Sequence, residues 1–187
     1  QLQLVVYMDA AMEMLRGQHP KKEILPGGIL YYHIDDPVLE SDTPLSDEEA
    51  EQALLFALRP DGLVNSGEEI YRAMDQNFEG KSQMIPVEIK KNGEISTARS
   101  KVASTEEFAV ITRYVEHEIR QCGEAIYAGN IAVNPYRSDI ETSCTYCPYA
   151  SVCGMDAKIP GYEYRQFASM KKEEVLDQMQ TELARNR

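Results

Sequence analysis

Hydrophobic residues recur at helical spacing in three stretches of the chain. Apolar side chains three or four positions apart lie on one face of an α-helix, and polar residues then occupy the opposite face. The pattern predicts helices over residues 2–16, 104–127 and 170–185, and capping sequences predict two more over residues 46–58 and 66–77. Helices therefore make up most of the predicted secondary structure.

One face of the first predicted helix carries Gln3, Tyr7, Ala10 and Met14. Gln3 and Tyr7 are one turn apart, so their side chains are neighbours on that face. Two interpretations follow for this pair. The side chains are either packed in the core or placed to form hydrogen bonds at a functional site.

Three of the predicted helices open with a sequence that is typical of a capping box. Ser46, Ser66 and Ser104 are each followed by a glutamate three residues later. In a capping box the serine hydroxyl accepts from the backbone N–H of that glutamate, whose carboxylate accepts from the backbone N–H of the serine. We therefore expect a helix to begin beside each serine.

The longest predicted helix carries an apolar stripe along its whole length. The stripe consists of Phe108, Ile111, Val115, Ile119, Cys122 and Ile126. Because Cys122 is in register with its apolar neighbours, we expect it to be a small core side chain. The last helix carries a shorter stripe of Val175, Met179 and Leu183.

Extended structure is predicted in two places. Residues 28–35 are apolar on both faces, which predicts a strand buried on both sides. Asn92-Gly93 lies between two extended runs within residues 84–100, which predicts a β-hairpin. Pro60-Asp61-Gly62 predicts a turn. The fold class predicted from these elements is α+β, mostly helical.

The chain is acidic, with a formal net charge of −12. Eight acidic residues and no basic residue lie between Asp35 and Glu51. This segment is typical of a solvated surface, or of a face that meets a basic partner. A free-standing DNA-binding domain usually carries a basic stripe. The chain alone is therefore a poor candidate for tight duplex binding.

No apolar run approaches the roughly 18 residues that a membrane helix needs. The apolar residues at the start lack the basic region and the cleavage site of a signal peptide. We therefore expect a cytoplasmic protein without a membrane partner. The chain starts at Gln1 inside an amphipathic pattern, so we also expect a fragment of a longer protein.

Three of the four cysteines fall within ten residues, at Cys144, Cys147 and Cys153. Short cysteine spacing without a secretion signal indicates a metal or cluster site. A [4Fe–4S] cluster takes four thiolates, and zinc takes three thiolates with a histidine. Three unliganded thiols in a loop are the remaining alternative. The histidines, His19, His33 and His117, are not at zinc-finger spacing.

The order of these motifs resembles a known family. A helix with Gln3-x3-Tyr7 precedes the segment Leu25-Pro26-Gly27-Gly28-Ile29-Leu30-Tyr31-Tyr32-His33-Ile34-Asp35-Asp36-Pro37, and the cysteine triplet follows about 140 residues later. This resembles the end of the RecB-like nuclease domain in AddB-type subunits. These are the B subunits of bacterial ATP-dependent helicase–nucleases, which process double-strand DNA ends for recombinational repair.

The resemblance implies a division of the chain into three parts. Residues 1–37 correspond to the end of a PD-(D/E)xK (restriction-endonuclease-like) nuclease core. Residues 38–138 correspond to a helical insertion with the hairpin near 84–100. Residues 139–187 correspond to a cysteine-cluster loop and a C-terminal helix.

The resemblance also implies cofactors, partners and roles for residues. Cys144, Cys147 and Cys153 correspond to three ligands of a structural [4Fe–4S] cluster, whose fourth cysteine lies upstream. The Asp and the (D/E)xK strand that bind Mg²⁺ also lie upstream, so Gln3 and Tyr7 are accessory catalytic residues at most. The partners implied are double-stranded DNA ends and an AddA-type helicase–nuclease subunit.

Two further expectations remain. Glu88-Ile89-Lys90, with Asp75 upstream, imitates a nuclease motif, but it follows the Gln3 helix in the reverse of the family's order. We expect it to be structural.

The edge of the first strand would pair with strands upstream in the family, so we expect edge-strand dimers of this chain. The alternative function is a zinc- or cluster-stabilised protein-interaction module without nuclease activity.

Overall fold

The computed structural model describes residues 2–34, 36–139 and 141–185 of the chain. The chain consists of two compact units, Gln1–Val115 and Glu116–Arg187. Gln1, where we expected the chain to start inside a longer protein, and Asp35, the end of the predicted strand, lie outside the described residues. The predicted α+β, mostly helical fold class is confirmed.

The first unit contains a three-stranded sheet with helices before, between and after its strands. Its elements are α1 (Leu2–Gln18), β1 (Gly28–Tyr31), α2 (Asp47–Ala57), β2 (Asp61–Asn65), α3 (Glu68–Met74) and β3 (Val102–Ala103). Helix α4 (Thr105–Tyr127) begins in this unit and continues into the second.

The sheet has the order β1-β2-β3, with β2 antiparallel to β1 and parallel to β3. The β1 and β2 backbones approach closely at Gly62. A Cβ atom at Gly62 would overlap the carbonyl oxygen of Ile29. Gly62 also has a φ of 145°, which favours glycine. Because β2 is central, β1 lies at an edge of the sheet.

The core of the first unit lies where β2 and β3 meet the segment after α3. Its buried cluster is Val64, Tyr71, Phe78, Ile85, Val87, Ile89 and Val102. Phe108 at the start of α4 is also buried, at 1% exposure. These side chains come from β2, α3, residues 78–89, β3 and α4, so contacts distant in sequence stabilise the unit.

Two polar side chains in this unit are almost completely withdrawn from solvent. Asn65 is 1% exposed and Ser82 is fully buried. The Ser82 hydroxyl donates to Asp75 Oδ2 at 2.6 Å and accepts from the backbone N–H groups of Met84 and Ile85. The Asn65 amide donates to a backbone carbonyl. Both side chains are therefore hydrogen-bonded, as a stable interior requires.

The second unit contains the end of α4, a small parallel sheet and two further helices. Its elements are β4 (Tyr136–Arg137), α5 (Ala150–Cys153), β5 (Arg165–Gln166) and α6 (Lys172–Arg185). The rings of Tyr136 and Phe167 meet edge to face at 5.6 Å beside the β4–β5 pair. In α6, Leu176 is buried and the predicted stripe is half-buried.

The helix predictions are confirmed in place, and two of the three capping boxes are confirmed. Ser46 and Glu49 exchange both capping hydrogen bonds, and so do Ser104 and Glu107. The prediction at Ser66 was wrong. Gly67 is the N-cap of α3 and makes no side-chain capping bond, because α3 begins one residue later than expected.

The strand predictions were partly wrong. Strand β1 is four residues long and half-buried instead of buried on both sides, because within the described residues only β2 pairs with it. The predicted turn at Asp61-Gly62 is the start of β2. The hairpin at Asn92-Gly93 is reduced to a single bridge, Ile89 to Ile95.

The apolar stripe of α4 is buried only in its first half. Phe108 and Val115 are buried, whereas Ile126 is 78% exposed. Cys122 is exposed as well, so its prediction as a core side chain was wrong. The physical reason is that helical spacing predicts which residues share a face, but not how far along the helix other elements cover it.

The described part of the acidic segment before α2 is exposed, apart from half-buried Pro37 and Leu39. Helix α2 itself buries no residue. The prediction of a solvated surface is confirmed there. None of the helices in the described residues combines the length and the apolar content that a membrane crossing requires.

Candidate functional site

The predicted accessory pair lies on the exposed side of α1. Gln3 Nε2 donates to Tyr7 Oη at 2.6 Å, and the Tyr7 side chain is 60% exposed. The interpretation of a buried glutamine and a core tyrosine was therefore wrong. The helix buries Val5 instead, so the two polar side chains remain available at the surface.

Tyr7 also borders a groove of about 400 Å³ between α1 and residues 24–30. The other walls are mainly apolar and include Met8, Ile29 and Leu30. The groove opens beside β1, which is an edge strand of the sheet. The Gln3–Tyr7 pair is thus placed where a strand or substrate approaching this edge would meet a hydroxyl and an amide.

We call residues 144–153 the cysteine loop. Cys144 and Cys147 are half-buried and Cys153 is exposed. Its backbone winds in consecutive turns, with the N–H of Cys147 donating to the carbonyl of Cys144 and the N–H of Cys153 to that of Tyr149. Gly154 follows with a left-handed φ of 65°. The loop therefore places three thiols on one short tightly turned segment.

The β4–β5 pair brings a tyrosine and an arginine to the cysteine loop. Arg137 forms a β-bridge with Thr142, whose hydroxyl accepts from the N–H of Cys144 at 3.2 Å. The guanidinium of Arg137 lies 4.3 Å from the ring centre of Tyr164. A hydrogen bond with the Cys144 thiol raises the pKa of the Tyr164 phenol above its ordinary value, and Arg137 partly opposes that effect.

No sequence pattern marks Tyr164 or Arg137. They are 20 and 7 residues away from Cys144, and neither has a motif around it. Pairing between β4 and β5 brings them together, and two-residue strands leave no alternation to detect. Sequence reasoning therefore found the thiols but missed the polar side chains beside them.

The thiols have the donor chemistry of a cluster site, but they supply only three ligands. Three cysteines in one turned loop are typical of the segment that holds most of a [4Fe–4S] cluster. Across residues 2–34, 36–139 and 141–185, no three His, Cys, Asp or Glu side chains converge as metal ligands would. The three thiols therefore do not converge on one point in this structure. A cluster would need them to come together and would need a fourth ligand from elsewhere.

The motif Glu88-Ile89-Lys90 has structural partners. Glu88 forms an ion pair with Arg99 at 2.9 Å. Asp75 accepts a hydrogen bond from the buried Ser82. The expected structural role of this segment agrees with these contacts, since both carboxylates hold neighbouring parts of the unit together.

Comparisons with known proteins agree with the predicted resemblance. The sequence profile of the PD-(D/E)XK nuclease superfamily matches residues 1–154. Several relatives are named as B subunits of an ATP-dependent helicase/deoxyribonuclease. One from Thermoanaerobacter sp. (strain X514) is 38% identical over 183 residues, 98% of this chain. Another from Lachnoclostridium phytofermentans is 39% identical over 184 residues, 94% of this chain.

The chain spans 16% of the length of each of these relatives. A relative of the same name from Clostridium botulinum (strain Hall) is 38% identical over 98% of this chain, which again spans 16% of the relative's length. The resemblance to helicase–nuclease B subunits, predicted from the motif order, is confirmed. Because the superfamily profile matches most of the sequence, the chain belongs to the PD-(D/E)XK nuclease superfamily.

Proposed function

We propose that this chain is part of an ATP-dependent DNA helicase/exonuclease subunit that processes double-strand DNA ends for recombinational repair. One observation carries the proposal: similarity to relatives named as helicase/deoxyribonuclease B subunits runs through 98% of the chain. The intact subunit would act in the cytoplasm beside an AddA-type helicase–nuclease partner. Its acidic segment before α2 is a surface that a basic partner could contact.

In this proposal the hydrolytic chemistry is completed by residues outside the chain. Phosphodiester hydrolysis in such nucleases uses carboxylates that bind Mg²⁺ and activate water. The Gln3 amide and the Tyr7 hydroxyl are hydrogen-bonding groups, and both are exposed. They would orient the substrate or an active-site group, so the chain alone would be inactive.

Nuclease assays on linear duplex DNA with Mg²⁺ or Mn²⁺ test this proposal. We expect the intact subunit with its partner to degrade DNA and the 187-residue chain to leave it intact. In the intact subunit, Tyr7→Phe should lower the rate, because it removes the hydroxyl that meets Gln3. Glu88→Gln is the matched control and should leave the rate unchanged. Activity of the isolated chain that Glu88→Gln abolishes would contradict the proposal.

We further propose that Cys144, Cys147 and Cys153 supply three thiolates to a [4Fe–4S] cluster in the intact subunit, with the fourth from outside this chain. The turned loop and its donor set support this assignment. When bound, the cluster would join distant parts of the polypeptide as a structural crosslink. Cys122 lies on α4, apart from the cysteine loop in sequence, and has no place in the proposed ligand set.

Iron analysis of the anaerobically purified intact subunit tests the ligand set. Cys144→Ser should remove most of the iron and the iron–sulfur charge-transfer absorbance at about 400 nm. Cys122→Ser makes the same chemical change on α4 and should retain both. Equal losses in the two variants, or an iron-free wild type, would contradict the assignment.

The alternative function is a zinc- or cluster-stabilised protein-interaction module without nuclease activity. The exposed, acidic surface of the segment before α2 is the observation that favours it. Stoichiometric zinc in the isolated chain, lost on Cys144→Ser, would support this alternative. Zinc requires four ligands, so a histidine or Cys122 would then have to join the three thiols.

A further inference from the structure

A groove in the first unit collects positive charge in an otherwise acidic chain. It has a volume of about 580 Å³ and lies between residues 78–80 and residues 89–93. Its lining includes Arg72, Lys90 and Lys91, and the acidic residue in the lining is Glu79. We call it the basic groove. Its volume lies in the range of ordinary ligand sites, roughly 300–1,000 Å³.

The basic groove has an apolar base that belongs to the core. Ile89 and Phe78 line it and are both buried members of the core cluster. The backbone N–H of Ile89 donates to the carbonyl of Gly80, which ties the two walls together. The turn at Asn92-Gly93 closes with a bond from the N–H of Gly93 to the carbonyl of Lys90. The lysines therefore project from a fixed turn.

Arg72 is held in place before any ligand arrives. Its Nη1 donates to the carbonyl of Phe78 at 3.0 Å, and its guanidinium lies 5.1 Å from the centre of the Phe78 ring. A guanidinium fixed in this way loses little conformational freedom when it binds an anion. Its carboxylate neighbour, Glu68, is 4.0 Å away and exposed, so that ion pair is weak.

The two lysines are weakly neutralised. Lys90 lies 3.9 Å from Glu94, and both side chains are largely exposed. No carboxylate in the described part of the chain forms an ion pair with Lys91. Two other cations of this unit form short ion pairs instead, Arg99 with Glu88 and Lys101 with Asp61. Three cations therefore face the basic groove against one carboxylate in its lining, Glu79.

We propose that the basic groove binds the phosphate backbone of a DNA strand. The proposal rests on the proposed function, because the DNA strand is the substrate of a DNA-processing subunit. Guanidinium and ammonium groups bind phosphate oxygens, and the Phe78 and Ile89 side chains at the apolar base have no hydrogen-bonding group for a nucleobase edge. Binding at this site is therefore independent of sequence and depends strongly on salt.

Fluorescence anisotropy with the intact subunit and an end-labelled single-stranded oligonucleotide tests the proposal. The variant Lys90→Gln/Lys91→Gln should bind about tenfold more weakly at 0.1 M salt, and its log–log salt slope should be shallower by about 1.4, because two phosphate contacts are lost. The charge-retaining variant Lys90→Arg/Lys91→Arg should bind like the wild type.

Lys21→Gln/Lys22→Gln is the matched control, because it also neutralises two adjacent exposed lysines outside the basic groove. Unchanged affinity and salt slope for Lys90→Gln/Lys91→Gln would overturn the groove proposal alone. Equal losses in both glutamine variants would overturn it in the same way. A wild-type subunit that neither binds nor degrades DNA would overturn the proposed function and the groove proposal together.

Discussion

The side-chain amide of Asn65 donates a 2.8 Å hydrogen bond to the carbonyl oxygen of Pro26, which lies 39 residues earlier in the chain. The same Nδ2 atom donates to Thr105 Oγ1 at 3.0 Å, and Oδ1 accepts from the N–H of Gly67 at 2.9 Å. One buried side chain thus joins the segment before β1 to the starts of α3 and α4.

Replacing this side chain should destabilise the first unit. We expect Asn65→Ala to lower the free energy of unfolding by about 2–3 kcal/mol, because it leaves the buried carbonyl of Pro26 and the half-buried N–H of Gly67 without this partner. Urea unfolding followed by circular dichroism measures the change. Asn77→Ala, at an exposed position in the same unit, should change the free energy by less than about 0.5 kcal/mol. Equal effects would contradict this account of Asn65.

Gly62 should not tolerate a side chain. The methyl group of Gly62→Ala would meet the carbonyl oxygen of Ile29 and would also strain a φ of 145°. We expect a loss of at least about 2 kcal/mol in the free energy of unfolding, as for other substitutions at strained backbone positions. Thermal unfolding should show a lower midpoint.

Gly17 provides the matched control for Gly62. A Cβ at Gly17 has nothing within 4 Å, and the residue lies in α1. Alanine favours a helix over glycine, so Gly17→Ala should be neutral or stabilising by up to about 1 kcal/mol. A Gly62→Ala variant as stable as Gly17→Ala would show that β1 and β2 do not approach as closely as described.

The ion pair between Asp61 and Lys101 predicts a pH dependence. The hydrogen bond from Lys101 holds the pKa of the Asp61 carboxyl below its ordinary value. Because this pKa is lower in the folded state, the ionised carboxylate stabilises the fold at pH values above the unfolded-state pKa of about 3.9. This stabilisation disappears as the pH falls through the folded-state pKa. Lys101→Met should therefore cost free energy at pH 7 and at pH 5, and this cost should disappear as the pH falls through the folded-state pKa of Asp61.

The cost should be small, under about 1 kcal/mol, because the Lys101 and Asp61 side chains are 61% and 63% exposed. Urea unfolding at three pH values measures it. Lys91→Met removes the same charge at a position outside the ion pairs and should show no such pH-dependent cost. A Lys101→Met effect that persists unchanged at low pH would point to lost packing instead of a lost ion pair.

Strand β1 predicts self-association of the isolated chain. Within the described residues its outer edge has no strand partner, and an open edge is a template for another strand. We expect light scattering at increasing concentration to detect dimers, and Tyr31→Lys to reduce them by placing charge on the edge. Tyr127→Lys, on the exposed end of α4, is the control. A monomer at every concentration would contradict the prediction.

The helices could be predicted because their signals are local. The apolar spacing and the capping pairs of α2 and α4 lie within a few residues of each other, so no distant contact is needed to detect them. The extent of burial could not be predicted in the same way. The exposure of Cys122 depends on which elements reach the far end of α4, and the spacing of its own residues carries no such information.

The strands and the surroundings of the thiols depend on distant pairing. Strand β3 has two residues, and it is a strand because Val102 and Ala103 pair with Val64 and Asn65. Likewise, Tyr164 meets Cys144 through the pairing of β4 with β5. The motif order predicted the family, whereas these contacts could be found only in three dimensions.

The central position of β2 has a consequence for synthesis on the ribosome. Its neighbour β1 precedes it by about 30 residues, but β3 follows it by about 40. The sheet therefore cannot be completed until Ala103 has left the exit tunnel, and Asn65 finds Thr105 later still. A nascent chain that stalls before this point exposes one side of β2, and chaperones would encounter the first unit in that state.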